Sequence, residues 1–275
     1  AGLSFLNIIR LFSKVFKVDS SELLTNKMLK MGSYITDMYI DDNWYVAYAD
    51  GNARFNLRSA STYNMSKTIN DYAVADLALT TFSKSNSMFI RLCWLILPVD
   101  EMLTYILSYD EMNKKITLTN NQRYKQYSYY PDMSLVTMRE NTHNPDGFFA
   151  ALKGGHNAES HNHNDVGNFI VYEDGEPLLI DIGVGTYTRK TFSHERYSIW
   201  TMQTQYHNCP TINGVMQQNG REFKATNVSC ENSKNTVNFS LDISKAYPDS
   251  AYVDSWQRTV VLERAKSISI TDNYS

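Results

Sequence analysis

The sequence has few cysteines, no long apolar run and no excess of basic residues. Its three cysteines, Cys93, Cys209 and Cys230, are an odd number without a C-x-x-C pair, so no disulfide framework is predicted. The longest apolar stretch, Leu92–Val99, is too short to cross a bilayer, and no membrane span is expected. No charged-then-apolar leader opens the chain, so any export signal is expected upstream of Ala1.

The charge balance limits the classes of partner. A formal net charge of −3 provides no broad basic field, so nucleic acid is not an expected partner and heavily sulphated polyanions are disfavoured. The chain has 275 residues, 43% of them hydrophobic, which is enough to bury the core of one or two domains. Its 19 tyrosines and 4 tryptophans are suited either to a sugar-binding cleft or to the strands of a sheet, and both interpretations stay open.

The first 110 or so residues show helical periodicity. Apolar residues recur at helical spacing over Phe5–Phe16. A capping-box pattern at Asp19 and Glu22 predicts a second helix that runs through Met31. After a polar, turn-rich stretch from 41 to 67, the runs Ile69–Phe82 and Met88–Ile106 are predicted to be helices, with a break at Pro98.

From about Gln122 onward the pattern changes to short apolar runs separated by Asn, Asp, Gly and Pro. Strands at this spacing, with no helices between them, predict an antiparallel sandwich. The segment Glu173–Glu176 is a predicted hairpin turn. The predicted strands are Ser134–Met138, Gly147–Leu152, Asn168–Tyr172, Pro177–Ile180, Val237–Leu241, Thr259–Leu262 and Ile268–Thr271.

Chemically reactive residue types are concentrated between Gly154 and Gly214. His161 and His163 are two residues apart, so on an extended strand both imidazoles would project from one face. Asp181 follows an apolar run, and His207 lies further along the chain. Imidazole and carboxylate are suitable zinc ligands, so the spacing favours a metal site without naming a reaction.

Other interpretations of these residues remain open. Asp181 could cap the turn that it begins, and His156 and His194 are expected to be ordinary solvated or packed histidines. His163-Asn164-Asp165 followed by His207 is similar to the H-x-D…H triad of non-haem iron oxygenases, although no arginine site for a co-substrate is recognisable. Gly155 followed by His161-Asn162-His163 is similar to the first cupin motif, but Asn164–Asn168 lacks the cupin glutamate.

Three sequence blocks together are more specific than any one spacing. They are Gly154–Phe169, Pro177–Gly183, and Tyr206–Asn208 with Ile212–Gly214. In this order they resemble the heparinase II/III family of polysaccharide lyases, with dense similarity over residues 147–225. The resemblance implies an α+β multidomain chain, with the C-terminal part of a partial (α/α) toroid helical region at 1–121. An antiparallel β-sandwich at 122–275, expected to be truncated, would follow it.

The resemblance also implies an activity. The family cleaves uronate-containing polysaccharides by β-elimination, which needs a base, an acid and a group that neutralises the uronate carboxylate. His161 and Tyr197 are the implied catalytic residues, although Tyr197 could equally be packed against Trp200. The implied ligands of a structural zinc ion are His163, Asp181 and His207.

Substrate contacts and the cellular setting are implied in the same way. Arg196, Arg189 and Asn208 are candidate substrate-binding residues. The expected partner is an acidic polysaccharide or oligosaccharide, a homodimer stays open, and a periplasmic or secreted location is expected. The family's toroid contributes an amide and another tyrosine that have no counterpart within residues 1–110, so catalysis by this chain alone is in doubt. A non-catalytic carbohydrate-binding sandwich therefore remains an alternative.

Overall fold

A computed structural model describes residues 16, 17, 19, 21–85, 99–116 and 123–275. The predicted helix over Phe5–Phe16, the break at Pro98 and Cys93 lie almost entirely outside these residues. The described residues form two compact units. The first comprises the described parts of Ala1–Asn43, Asn56–Lys125 and Thr142–Asn144, and the second comprises Trp44–Phe55, Gln126–Asn141 and Pro145–Ser275.

The first unit is mainly helical. Its helices are α1 (Ser21–Asp37), α2 (Ser59–Ile69), α3 (Tyr72–Ser85) and α4 (Val99–Lys115), and it also contains the short strand β1 (Tyr39–Asp41). No described helix of the chain is both long and apolar enough to span a membrane. An open cavity of about 460 Å³ in this unit is lined by residues that include Tyr63, Lys67 and Lys115, and it contains none of the predicted site residues.

The helix prediction is confirmed for α1 and for residues 99–106, the described part of the predicted helix Met88–Ile106, which continues to Lys115 as α4. It is wrong around Ile69. The stretch predicted to be turns up to residue 67 contains α2, and a helix predicted to start at Ile69 starts at Tyr72. Asn70 ends α2 in the left-handed conformation with φ of 53°, and the Asp71 carboxylate caps α3 by accepting the Ala73 N–H at 2.9 Å.

The polar residues of α2 explain why its periodicity is weak. Ser59, Ser61, Thr62 and Ser66 are buried rather than exposed. Each hydroxyl can remain inside only with a partner, and Ser61 donates to Glu101 at 2.6 Å. An apolar stripe is therefore replaced by buried hydrogen bonds, which a hydrophobicity pattern does not detect.

The second unit contains two antiparallel sheets. One has the order β3-β4-β5-β7-β8 and the other has the order β10-β11-β12-β13, while β6 pairs with β9. Its strands are β2 (Trp44–Tyr45), β3 (Tyr127–Tyr130), β4 (Leu135–Arg139), β5 (Phe148–Lys153), β6 (His156–Asn157), β7 (Phe169–Glu173), β8 (Glu176–Leu179), β9 (Gly220–Lys224), β10 (Thr226–Asn232), β11 (Thr236–Asp242), β12 (Trp256–Glu263) and β13 (Ser267–Tyr274).

The two sheets share one apolar core, as in a β-sandwich. Val136 and Leu152 of the five-stranded sheet belong to the same buried cluster as Phe239, Val260 and Leu262 of the four-stranded sheet. Burial of each such side chain contributes about 1.5–3 kcal/mol. Alternate residues of β11 and β12 point into this core, as predicted for sandwich strands. The predicted hairpin at Glu173–Glu176 is confirmed separately, because β7 pairs with β8 and Glu173 lies opposite Glu176. The assignment of the helices to a toroid, and of the domain boundary to residues 121 and 122, stays a prediction.

Candidate functional site

The histidine segment lies in a loop between β6 and β7 of the second unit. The two histidines do not lie on an extended strand, the condition under which both rings would project from one face, because His161 has a left-handed backbone with φ of 60°. The turn separates the two histidines by environment. The His161 side chain is 55% exposed, whereas that of His163 is fully buried.

His163, Asp181 and His207 form a buried group of donor atoms. One ligand atom from each lies within 4.8 Å of the other two. The rings of His163 and His207 have centroids 5.2 Å apart, and Nδ1 of His207 lies 2.6 Å from Oδ2 of Asp181. The tertiary structure thus brings the three predicted zinc ligands together.

Two imidazole nitrogens in this group have no hydrogen-bond partner among the described residues. They are Nδ1 of His163 and Nε2 of His207, and both are buried. An unpaired polar atom in the interior costs about 1–3 kcal/mol. A cation that accepts these lone pairs would remove that cost, so the donor set fits a zinc ion.

Asp181 is held by both of its oxygens. Oδ1 accepts the Gly183 N–H at 2.7 Å, and Oδ2 accepts from Asn168 Nδ2 at 2.5 Å. Asp181 therefore caps its own turn and also faces His207, so the two interpretations left open by the sequence do not exclude each other. Burial would raise the pKa of Asp181, but the interaction with His207 and the hydrogen bonds from Gly183 and Asn168 together outweigh burial and lower it.

The two buried histidines have pKa values shifted in opposite directions. Burial lowers the pKa of His163. Burial also disfavours the charged form of His207, but its hydrogen bond to Asp181 and the negative charges of Asp165 and Asp181 together outweigh burial and raise the pKa of His207. The Asp181 carboxylate thus orients one ring of the donor group.

Asp50 is a site residue that sequence reasoning missed. It lies on the segment Trp44–Phe55 of the second unit, and its carboxylate is within 3.0 Å of ring nitrogens of both His161 and His163. Burial would raise the pKa of Asp50, but hydrogen bonds, first among them one from Arg196, outweigh burial and lower it to about 2. No local pattern marks this aspartate, since it precedes His161 by 111 positions.

Asp165, the carboxylate of the iron-oxygenase interpretation, has a different partner. Its Oδ1 accepts a hydrogen bond from the buried ammonium of Lys153 at 2.6 Å. The Asp165 carboxylate raises the pKa of Lys153 against the effect of burial. Within the described part of the chain, Asp165 is not in the donor group of His163, Asp181 and His207.

The remaining predicted site residues differ in how they are held. The hydroxyl of Tyr197 accepts from Asn162 Nδ2 at 3.3 Å, and Trp200 packs edge-on against Tyr206 with centroids 5.0 Å apart. Arg196 donates to the carbonyl oxygens of Asn162 and Thr191 and to Asp50.

Two predicted substrate-binding residues show contrasting environments. Arg189 is exposed on a short 3-10 helix. Asn208 donates its amide nitrogen to the carbonyl oxygens of Phe169 at 2.7 Å and Ile180 at 3.0 Å. Its side chain is therefore committed to holding the backbone beside the donor group, and a role in substrate binding stays a prediction for both residues.

Buried polar side chains fix the loop that carries the histidines. Gln217 forms a pair of hydrogen bonds with the backbone of Val166, at 2.9 Å and 2.8 Å. Arg258 of β12 donates to the carbonyl oxygens of Gly167 at 2.9 Å and Asn208 at 2.7 Å. The four-stranded sheet thus braces the backbone next to His207 as well as the loop before β7.

Comparison with known proteins gives one family. The family model described as "Heparinase II/III-like, C-terminal" matches residues 125–275. Among curated proteins, no significant match to the chain is found.

Solved structures give distant similarities. Heparan sulfate lyase HepC from Pedobacter heparinus is 16% identical with a TM-score of 0.48, over 91% of this chain and 40% of that one. A structure titled heparinase III is 12% identical with a TM-score of 0.44, over 91% of this chain and 43% of that one. The chain thus spans about two fifths of the length of these proteins.

Proposed function

Because the chain belongs to the heparinase II/III-like family, we propose that it is part of a polysaccharide lyase that cleaves a uronate-containing polysaccharide by β-elimination. One observation carries the proposal. An exposed histidine, His161, lies two residues from His163 of a buried donor group, and Asp50 hydrogen-bonds to both rings. In such a site a large substrate can reach the imidazole of His161, while the residues that hold this ring stay buried.

The proposed reaction needs three groups. A base removes the proton from C5 of the uronate while the carboxylate is neutralised by a donor, the C4–O4 bond breaks, and an acid protonates O4. The products are a chain that ends in a C4=C5 unsaturated uronate and a second chain with a free hydroxyl. No electrons are gained or lost, so no redox cofactor is required.

His161 and Tyr197 are proposed to act on the substrate. Since Nδ1 of His161 faces Asp50, its Nε2 can take up the C5 proton or, when protonated, bind the uronate carboxylate. The Tyr197 oxygen accepts a hydrogen bond from Asn162, which leaves the phenolic proton available for the O4 leaving group. Arg196, Arg189 and Asn208 are proposed to contact the sugar chain.

A zinc ion is proposed as the structural partner of this site. His163, Asp181 and His207 would hold it, and the two unpaired imidazole nitrogens support this ligand set. When bound, the ion would act as a structural brace that orients the loop of His161. The proton transfers are assigned to His161 and Tyr197 rather than to the ion.

The wider setting is proposed from the family. The helices of the first unit would be the C-terminal part of an (α/α) toroid, residues 122–275 would be the sandwich domain, and the enzyme would be periplasmic or secreted. Its partner would be an acidic polysaccharide or oligosaccharide rather than nucleic acid. Homodimer formation stays a prediction.

Three other interpretations receive less support. An iron oxygenase would use Asp165, but that carboxylate is paired with Lys153. The cupin interpretation still lacks its glutamate. Turnover decides between a sandwich that only binds carbohydrate and the lyase.

The test is a screen of the zinc-loaded full-length lyase of which this chain is proposed to be part, with the 275-residue chain assayed beside it, against alginate, hyaluronan, heparan sulphate and other uronate polysaccharides. The lyase proposal expects ultraviolet absorbance to rise as unsaturated product forms without an added cofactor. His194→Ala, at an exposed histidine in the loop after Arg189, is the matched control and should retain this activity. Retention of a polysaccharide without any unsaturated product would instead identify a binding module, and a requirement for iron and an oxidisable co-substrate would identify an oxygenase.

A further inference from the structure

The Asp50 carboxylate accepts hydrogen bonds from four side chains. Oδ2 is 2.7 Å from His161 Nδ1 and 2.9 Å from the Tyr187 hydroxyl. Oδ1 is 3.0 Å from His163 Nε2 and 2.8 Å from Arg196 Nη2. The Asp50 side chain is only 5% exposed, so its four partners take the place of water.

The charge on Asp50 determines which ring nitrogens are protonated. The neighbouring Arg196 guanidinium favours the ionised carboxylate, and an ionised carboxylate can only accept hydrogen bonds. The ring nitrogens that face it must therefore donate. In the neutral rings this places the protons on Nδ1 of His161 and on Nε2 of His163, and it leaves lone pairs on Nε2 of His161 and Nδ1 of His163.

These two lone pairs are the ones that the site requires. Nε2 of His161 belongs to the exposed imidazole. Nδ1 of His163 is the buried nitrogen without a hydrogen-bond partner, and it belongs to the donor group with Asp181 and His207. One carboxylate thus selects the tautomer of both histidines, as carboxylate partners of metal-bound histidines commonly do.

The segment that carries Asp50 is itself well anchored. Asp50 lies in a tight turn closed by a 3.0 Å hydrogen bond from Gly51 N to the Tyr48 carbonyl oxygen. Trp44, at the start of the segment, packs edge-on against the buried ring of Tyr172 in β7 with centroids 5.9 Å apart. The carboxylate is therefore held by a turn attached to the same sheet that carries the histidine loop.

We propose that Asp50 is a positioning residue that fixes the orientation and tautomer of His161 for proton transfer and of His163 for metal binding. The assignment rests on the proposed function for the role of His161 and on side-chain geometry for the tautomers. Asp50 lies outside the segment that matches the family model, residues 125–275. Its role follows from its four contacts.

The primary measurement is the imidazole nitrogen chemical shifts of the zinc-loaded protein, with all six histidines labelled with nitrogen-15. At about pH 8 an unperturbed imidazole is neutral, and its protonated and unprotonated nitrogens are well separated. We expect His161, assigned by loss of its signals in His161→Gln, to carry its proton on Nδ1. A wild-type His161 protonated on Nε2 would overturn the proposal, whatever the behaviour of any variant.

The second measurement uses Asp50→Asn, which preserves the size of the side chain but has only one acceptor oxygen. The expected result is a loss of the Nδ1–H preference of His161 and a fall in kcat of about 10- to 100-fold with a smaller change in KM. Asp242→Asn is the matched control, because Asp242 is a buried carboxylate of the same unit that accepts two backbone N–H groups, from Ser244 and Trp256. Asp242→Asn should lower stability but leave the tautomer and kcat of the folded protein unchanged.

The outcomes separate this inference from the function on which it rests. An Asp50→Asn protein with wild-type tautomer and zinc content, or with a kcat reduced only in proportion to its folded fraction, would reject the positioning role. If the full-length wild-type protein forms no unsaturated product from any polysaccharide, the lyase proposal fails while the nitrogen shifts still decide whether Asp50 sets the tautomers.

Discussion

Gly167 lies directly against Ile243, so closely that a β-carbon at Gly167 would be 2.7 Å from Cγ2 of Ile243. Gly167 also has φ of 88°, a conformation that other residues rarely adopt. Its carbonyl oxygen accepts a hydrogen bond from Arg258, and the next residue, Asn168, donates to Asp181. The closely packed backbone at Gly167 is thus connected, through Asn168, to the carboxylate of Asp181 in the donor group.

Gly167→Ala should therefore destabilise the protein. The left-handed backbone and the contact with Ile243 each cost on the order of 1–3 kcal/mol in comparable cases. Gly185→Ala is the control, because a β-carbon there would meet only Thr201 Oγ1 at 4.0 Å. Denaturant unfolding measures both variants, and equal stability of the two would contradict the close packing at Gly167.

Removal of the metal should lower thermal stability. With zinc bound, chelation would leave His163, Asp181 and His207 as buried polar groups without their shared partner, so we expect a lower Tm in chelator and recovery when zinc is added back. Metal analysis of the purified protein should give about one zinc per chain for a single site of this kind. A Tm that does not respond to chelation would count against a structural ion.

The choice between two carboxylates is a separate prediction. Asp181→Ala should lose zinc, whereas Asp165→Asn should retain zinc while losing stability, because it leaves the buried Lys153 ammonium without its closest partner. Removing one partner of a buried ion pair costs about 3–5 kcal/mol. Retention of metal by Asp181→Ala together with its loss from Asp165→Asn would reassign the site to the oxygenase pattern.

The paired histidines should respond differently to substitution. His161→Ala removes an exposed side chain, so folding and zinc content should be nearly unchanged while elimination is abolished. His163→Ala should lower zinc content and Tm together, since its ring is fully buried. Tm, zinc content and unsaturated-product formation are measured on both variants, and if both merely destabilise the fold, His161 is structural.

Acid should weaken an ion-pair cluster in the first unit. The hydrogen bond from Lys67 to Glu111, at 2.7 Å, is the largest influence that lowers the pKa of Glu111, to about 2 from its usual 4.5. A depressed carboxyl pKa gives stability that is present above about pH 4.5 and is lost as the pH falls towards 2. Because the Glu111 side chain is 40% exposed, the contribution should not exceed about 1 kcal/mol.

The pH dependence is measured by denaturant unfolding of wild type and Glu111→Gln between neutral pH and pH 3. Glu111→Gln should reduce the loss of stability in acid, and it should do so less in a Lys67→Met background. An unchanged acid dependence in Glu111→Gln would show that other carboxyl groups dominate.

Much of the sandwich is predictable because the alternation of residue types along a strand shows which side chains are buried. In β11 and β12 alternate residues such as Val237, Phe239 and Val260 enter the core, and a period of two is visible in the sequence itself. The helices are less predictable where burial is polar. In α2 the inward positions include serine and threonine, whose partners are nearby backbone carbonyl oxygens, as for Thr62 and Ser66, or a distant side chain, as for Ser61 with Glu101.

The sequence by itself determined which residue types are available for the site, since three ordered blocks supply His161, His163, Asp181 and His207, and Tyr197 lies between the second and third blocks. Only the tertiary structure decided how they are used. In the folded chain Asp165 pairs with Lys153, and Asp181 faces His207. Asp50 contacts His161, which follows it by 111 positions. The physical reason is that periodicity and turn chemistry depend on neighbours in sequence, whereas the partner of a buried charge is set by whichever distant segment packs against it.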